Sequence, residues 1–173
     1  TKRRPGDCRP GLFVKKSRDS RLKAPQPFIK WTGAKRLHAE EILSHCPGGC
    51  STYHAPFIGG GSVLIRAVTE GAAERYKAGG TDRSLVSCYN KLMEDPKGLA
   101  DSYERLYNGL HDSPDKRAYY ESVRRRFNAT GDACDFYFLT RQCYNELVRY
   151  NSSGLYNSSY HHTRPGMHPD RVR

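Results

Sequence analysis

Two periodicities divide the chain. From Lys35 to His45, Leu37, Ile42 and Leu43 fall on one side of an amphipathic helix, which Pro47-Gly48-Gly49 would end. A β-prone segment from Tyr53 then runs through Pro56-Phe57-Ile58 into Gly59-Gly60-Gly61, and the apolar run Val63 to Val68 opens a helix that Ser62 can cap. Glu74 to Asp82 reads as a second short strand. Beyond it the pattern is wholly helical. One helix is expected over Ser84 to Met93, and Leu99, Tyr103, Leu106, Tyr107 and Leu110 recur at spacings of three and four in the next. Ser113-Pro114 starts another, carrying Tyr119, Tyr120, Val123 and Phe127, and a further one covers about Asp132 to Arg141 with Phe136, Tyr137 and Leu139 inward. Gln142 to Asn151 reads as a loop or helix end, the remainder lacks a regular pattern, and no internal repeat is evident.

Composition bounds this picture. With 173 residues, 36% of them hydrophobic, and twelve Tyr, the chain holds one core of ordinary size plus an appendage. The formal net charge of +11 is uneven, since residues 1–26 hold nine Lys/Arg against Asp7 and Asp19. Such a stretch has too little apolar surface to fold alone and is expected to be a disordered arm until it meets an anion. Nucleic acid is the partner that rewards it best, because each neutralised phosphate releases counterions. A solubilising arm or a targeting remnant is the alternative.

No apolar run approaches the ~20 residues that cross a bilayer, so no membrane role is expected. Six cysteines, Cys8, Cys46, Cys50, Cys88, Cys134 and Cys143, are spread without the framework of a small secreted domain. They read as reduced thiols of an intracellular protein, in the cytoplasm or in an organelle matrix such as the mitochondrion's, rather than a secreted one. Cys46-Pro-Gly-Gly-Cys50 has no second close pair, so no metal site is assigned.

The chemistry concentrates in three places. Glycines between a strand and a helix supply positive φ and let a ligand approach the helix N-terminus. An acidic residue about twenty positions on, at the end of the next strand, is where nucleotide-binding α/β folds hold the ribose hydroxyls, and Asp82 stands there. It can equally cap the following helix, and the two roles are compatible. Gln142 to Asn151 brings together the groups that read bases: amide for adenine, guanidinium for guanine and an aromatic ring for stacking. The Arg124-Arg125-Arg126 triplet reads as a solvated face that can approach phosphate. Trp31 reads as a core anchor.

In this order, the segments Phe28-Ile29-Lys30-Trp31-Thr32-Gly33-Ala34-Lys35, Pro56-Phe57-Ile58-Gly59-Gly60-Gly61-Ser62, Thr81-Asp82 and Phe136 through Asn151 with Gly154-Leu155-Tyr156-Asn157 resemble the DNA adenine methylase family, from about Pro27 to Tyr160. The resemblance implies S-adenosylmethionine as cofactor and adenine N6, typically within GATC, as target. It implies cofactor contacts at Trp31, Lys35, Phe57, Gly59, Gly61 and Asp82, and nucleic-acid contacts at Lys30, Tyr144, Asn145, Leu147, Arg149 and Asn151. Among these, Tyr144 corresponds to an intercalating ring, Leu147 to an apolar wedge and Arg149 to a base reader. The implied fold is α/β: an incomplete Rossmann-like methyltransferase sheet with an inserted or appended helical target-recognition domain and the basic N-terminal arm. The boundaries would be 1–26 for the basic extension, 27–95 for the partial cofactor domain, 96–160 for the helical domain and 161–173 for an irregular tail.

Four positions depart from the family pattern. Ala55 replaces an acidic residue before Pro-Phe, Asp82-Arg83-Ser84 replaces Asp-Ile-Asn, and Glu146 stands where a glycine is expected. The Asp-Pro-Pro-Tyr box that aligns adenine N6 with the methyl donor is absent from these residues, where the one Asp-Pro, Asp95-Pro96, continues Lys97-Gly98. No catalytic residue is therefore assigned. The expected function is a degenerate, non-catalytic methylase-like domain in a nucleoprotein assembly such as an organellar ribosome, gripping DNA or RNA. The alternatives are part of an active adenine methyltransferase whose catalytic portion lies elsewhere, and a DNA-site occluder. A strand with an open edge further implies a second protein chain that covers the sheet.

Overall fold

The computed structural model describes residues 26–164 and 166–172. The expected basic arm, except for Gln26, lies outside them. The chain divides into two compact units, residues 34–79 in one and residues 28–33 with 80–172 in the other.

The first unit is a parallel β-α-β arrangement preceded by a short helix. Helix α1 (Ala39–Ser44) leads to β1 (Cys50–Ala55), α2 (Ser62–Glu70) and β2 (Ala73–Ala78). The strands pair in parallel with Cys50 opposite Ala73, Tyr53 opposite Tyr76 and Ala55 opposite Ala78. Parallel neighbours need a crossover, and α2 supplies it. Gly71 ends α2 at φ 63, with its N–H on the Val68 carbonyl and the Ala72 N–H on Ala67 O, a glycine closure that satisfies the last turn. Tyr76 then ties strand to helix, accepting from Ala73 N at 3.0 Å and donating to Ala67 O at 3.1 Å.

Three expectations for this unit are corrected. The second strand, read as Glu74 to Asp82, is β2 (Ala73–Ala78) and stops short of Asp82, which caps a helix of the other unit. The first helix begins at Ala39 rather than Lys35, because residues 35–38 form turns closed by His38 N on Lys35 O and Ala39 N on Arg36 O. Leu37 therefore lies outside the helix and is 92% exposed; Ala39 and Leu43 are buried and Ile42 stays on the rim. Nor does Ser62 cap α2. Gly61 is the cap residue, at φ 73, and Ser62 is the first helical position.

The second unit is helical. It holds α3 (Arg83–Glu94), α4 (Pro96–Asp112), α5 (Lys116–Thr130) and α6 (Ala133–Gln142), then the 3₁₀ turns Tyr144–Glu146 and Pro169–Arg171. Each of the four helices opens on an aspartate whose carboxylate accepts from the first turn: Asp82 from Leu85 N, Asp95 from Gly98 N, Asp115 from Ala118 N, and Asp132 from Cys134 N and Asp135 N. Helix α5 thus starts at Lys116, and Ser113-Pro114 belongs to the link before it.

Helix α6 is the centre. Every residue from Asp135 to Gln142 is buried. Tyr103 from α4 and Phe127 from α5 pack against its rings, at 5.3 Å from Tyr137 and 5.5 Å from Phe136. Phe28 lies 4.9 Å from Tyr89 and 5.4 Å from Tyr137, while Trp31 sits 6.5 Å from Phe136, which seats residues 28–33 in this unit. The buried Asp135 carboxylate is matched, both its oxygens accepting from Arg126 Nε and Nη2, while buried Arg141 lies over the Tyr137 ring and keeps an Nε without a hydrogen-bond partner. The final segment is also seated, with Tyr103 Oη donating to Met167 O and Pro169 buried.

Candidate functional site

In the first unit the candidate ligand site is the turn after β1. Gly79 N–H binds Ala55 O, Ile58 N–H binds Gly79 O, and Gly61 N–H binds Ile58 O, so the turn is closed by backbone alone. Gly59 and Gly61 hold φ 49 and 73, a region that side chains with a Cβ enter at a cost. The loop ends at the α2 N-terminus, where Ser62 Oγ is buried without a hydrogen-bond partner. Phe57 is 85% exposed, and Lys35 is exposed. Positive φ at two glycines, free helix N–H groups and an unspent hydroxyl suit the polar end of a nucleoside-type ligand, so these residues fit an S-adenosylmethionine turn. Ala55 offers no side-chain polar atom to it.

In the second unit Asp82 fulfils the capping role and more. Its Oδ1 accepts from Leu85 N at 2.9 Å, and its Oδ2 accepts from Tyr150 Oη at 2.9 Å. Trp31 is half-buried against Phe136. The ribose assignment remains chemically open, because each carboxylate oxygen has two lone pairs.

The strip Gln142 to Asn151 is neither a plain loop nor a helix end. Residues 143–160 form an irregular antiparallel hairpin, bridged at Cys143 with Tyr160 and Tyr150 with Tyr156. Ser158 is its internal strut, with Oγ donating to Leu147 O at 2.7 Å and accepting from Arg149 N at 2.9 Å. Asn128 of α5 clamps the returning arm, donating to Tyr156 O at 3.0 Å and accepting from Tyr156 N at 2.9 Å. Tyr120 Oη donates to Ser158 O at 3.1 Å. Burial pushes the Tyr120 and Tyr156 hydroxyls well above the ordinary phenol range, so both stay neutral.

On this frame Tyr144, Asn145, Leu147 and Arg149 are exposed. The Tyr144 ring stacks on His161, centroids 4.8 Å apart and planes 19° from parallel. Asn145 and Glu146 take φ 53 and 55 in succession, and Glu146 meets Lys30 at 2.5 Å. The Glu146 carboxylate, standing where a glycine is expected, is thus spent on a cation of the same unit. Asn151 uses its carboxamide oxygen on Ser153 N and Leu155 N, so it shapes the hairpin turn. Beside the strip runs an open cleft of about 960 Å³ lined by Lys116, Arg117, Arg124, Tyr144, Arg149 and His162 and by the carboxylates Asp115 and Glu121, the latter paired with Arg117 at 3.1 Å.

The arginine triplet divides. Arg124 donates to Ser158 O, Arg126 is committed to Asp135, and Arg125 is exposed. Asn128 and Ser158 had no signal in the sequence, and Tyr120 and Tyr156, read there only as a core ring and as part of Gly154-Leu155-Tyr156-Asn157, gave none for their place in this frame, because the bonds that build it run to backbone groups brought near only by the fold. Cys46, Cys50, Cys88, Cys134 and Cys143 are free thiols. Burial drives Cys88 up to about 12, so it is an inert thiol. Among the described residues, no group of three or more His, Cys, Asp or Glu is arranged to hold a metal, and no helix is long and apolar enough to cross a membrane.

Residues 31–169 match the family of D12 class N6 adenine-specific DNA methyltransferases. Among curated proteins, the chain is 29% identical over 154 residues to the Type II methyltransferase M.MjaIII of Methanocaldococcus jannaschii, covering 78% of this chain and 52% of that protein. It is 29% identical over 140 residues to the DNA adenine methylase of Vibrio cholerae, covering 79% and 48%, and 29% identical over 136 residues to that of Haemophilus influenzae, covering 76% and 46%. The chain spans about half the length of the curated relatives it matches.

Proposed function

Because this chain belongs to the family of D12 class N6 adenine-specific DNA methyltransferases, we propose that it is the cofactor-binding and target-binding portion of an enzyme that methylates adenine N6 within a short, GATC-like DNA sequence. The observation that carries this reading is the hairpin of residues 143–160. It holds an aromatic ring, an amide, an apolar wedge and a guanidinium, Tyr144, Asn145, Leu147 and Arg149, exposed in succession on a frame built from buried and half-buried hydrogen bonds. A plain surface loop has no need of such a frame.

In this reading Arg149 reads a base edge, Tyr144 and Leu147 enter the stack, and Asn145 contacts a base. The cations of the adjoining cleft, Lys116 and Arg124 above all, follow the phosphate backbone. Lys30 joins them once it parts from Glu146, and Asn151 contributes through its turn. The cofactor is S-adenosylmethionine, which supplies the methyl group. Of the contacts that the resemblance implies, Gly59, Gly61, Phe57 and Lys35 are residues of the first unit, Asp82 is the candidate ribose acid and Trp31 a candidate ring contact. The division into a cofactor domain over 27–95 and a helical recognition domain over 96–160 goes with this reading. So does a further strand on the sheet, since each described strand has one edge without a ladder partner.

A second reading, a nucleic-acid-binding domain without transfer chemistry, is favoured by one observation: the Lys30–Glu146 pair lowers the positive charge of the recognition face. Competition binding tests both. A GATC duplex that competes better than a scrambled duplex at physiological salt, with the preference lost in Arg149→Ala, supports a reader of adenine sites, because each base contact discriminates by ~1–3 kcal/mol. Equal competition by scrambled DNA or by RNA overturns it. Calorimetric binding of S-adenosylmethionine, weakened by Asp82→Ala, separates the enzyme portion from the binder.

A further inference from the structure

Tyr150 is the one residue of the base-reading strip whose side chain is hydrogen-bonded to the candidate ribose acid. Its Oη lies 2.9 Å from Asp82 Oδ2, while Oδ1 of the same carboxylate is fixed by Leu85 N at 2.9 Å. Two contacts on opposite oxygens leave the carboxylate a single orientation, with lone pairs still open on both. Tyr150 is itself held by the hairpin. It bridges Tyr156 across the two arms, its ring meets the Tyr156 ring edge-on at 6.0 Å, and Tyr156 is buried and clamped by Asn128. Tyr150 keeps 37% of its surface exposed, yet partial desolvation of its hydroxyl, first, and the Asp82 charge beside it raise it above the ordinary phenol range, so it stays a donor. Arg149 is its immediate neighbour in sequence.

We propose that Tyr150 is a positioning residue that orients Asp82 for the ribose hydroxyls of the cofactor and thereby ties the seating of the target-reading hairpin to cofactor affinity. This rests on the reading of Asp82 as the ribose acid. Neither Tyr150 nor its bond to Asp82 can be inferred from sequence spacing, since the two residues stand 68 positions apart. A group that fixes a carboxylate in place removes the cost of ordering it at the moment of binding.

The test is calorimetry of the full chain with S-adenosylhomocysteine and with an analogue lacking both ribose hydroxyls. The unchanged chain prefers the hydroxylated ligand. Tyr150→Phe, which keeps the ring contact with Tyr156, shrinks that preference by about tenfold, the scale of one hydrogen bond to a charged group. Affinity for the analogue stays the same, whereas a general loosening of the fold would weaken both ligands alike. Tyr150→His, which retains a ring N–H donor, restores part of the preference and guards against a variant that merely folds poorly. Should Asp82→Ala abolish the preference while Tyr150→Phe leaves it intact, the positioning role is overturned and the ribose reading stands. If Asp82→Ala changes nothing, or the unchanged chain binds neither ligand, the ribose reading itself falls.

Discussion

Lys30 and Glu146 form an ion pair, Nζ to Oε2 at 2.5 Å, at a position where Glu146 is also held at φ 55. A residue with a Cβ enters the left-handed region at a cost of about 1–2 kcal/mol, and glycine is the residue the family resemblance expects there. Glu146→Gly should therefore raise affinity for duplex DNA and steepen its salt dependence by about one phosphate contact, because Lys30 becomes available. Lys30→Ala should matter little beside the native Glu146 and cost affinity in the Glu146→Gly background. A double-mutant cycle in filter binding over a range of salt reads the coupling. Additive effects would mean that the pair has no part in binding.

Asn128 gives a prediction about the hairpin alone. Its carboxamide makes two hydrogen bonds to the Tyr156 backbone, so Asn128→Ala should cost about 1–3 kcal/mol. The loss should fall locally. Hydrogen exchange at Tyr156 and Arg149 should quicken well before that of α6, and duplex affinity should drop with it.

What the sequence made legible follows from the range of the forces involved. Helices α3 to α6 were readable because their apolar spacing acts within one turn; of their aspartate caps only Asp82 was read as one, and the start of α5 was placed at Ser113-Pro114 rather than after Asp115. The parallel pair was readable because glycines separate strand from helix. Residues 35–38 were misread because Leu37 fits the helical period, yet no neighbour covers it. The hairpin of residues 143–160 was singled out by its chemistry and missed in shape. Its two bridges and the Asn128 and Ser158 bonds join positions far apart in the chain to backbone groups, which leave no pattern in side-chain type. The Asp82–Tyr150 bond was invisible for the same reason.

Asp95 supplies a pH prediction. The Gly98 N–H, first, and then the Lys91 ammonium hold its carboxyl below the ordinary aspartate range. A carboxyl depressed in the folded state stabilises it above the unfolded pKa, and that contribution is lost as pH falls through the folded value. Protection of the first turn of α4 should thus decline on acidification below the ordinary aspartate range and recover on neutralisation. Asp95→Asn keeps an acceptor for Gly98 N but loses the charge, so its melting temperature should fall between those of the native chain and Asp95→Ala and vary less with pH. A carboxyl resonance for Asp95 titrating at the ordinary value would contradict this.

Gly61 and Gly48 put the glycine turn to a matched test. Both belong to the first unit, but Gly61 caps α2 at φ 73, whereas Gly48 has no left-handed φ and open space where a Cβ would stand. The same substitution should then act with opposite sign. Gly48→Ala removes only unfolded-state freedom and should stabilise by about 0.4–1 kcal/mol. Gly61→Ala forces a Cβ into the left-handed region and should destabilise by about 1–2 kcal/mol. Chemical denaturation of the two variants measures the difference. The functional consequence separates further, since only Gly61 lies where a ligand would meet the α2 N-terminus: S-adenosylhomocysteine affinity should fall in Gly61→Ala and hold in Gly48→Ala. Equal affinity in both would remove the glycine turn from the cofactor site and leave it a structural joint between β1 and α2.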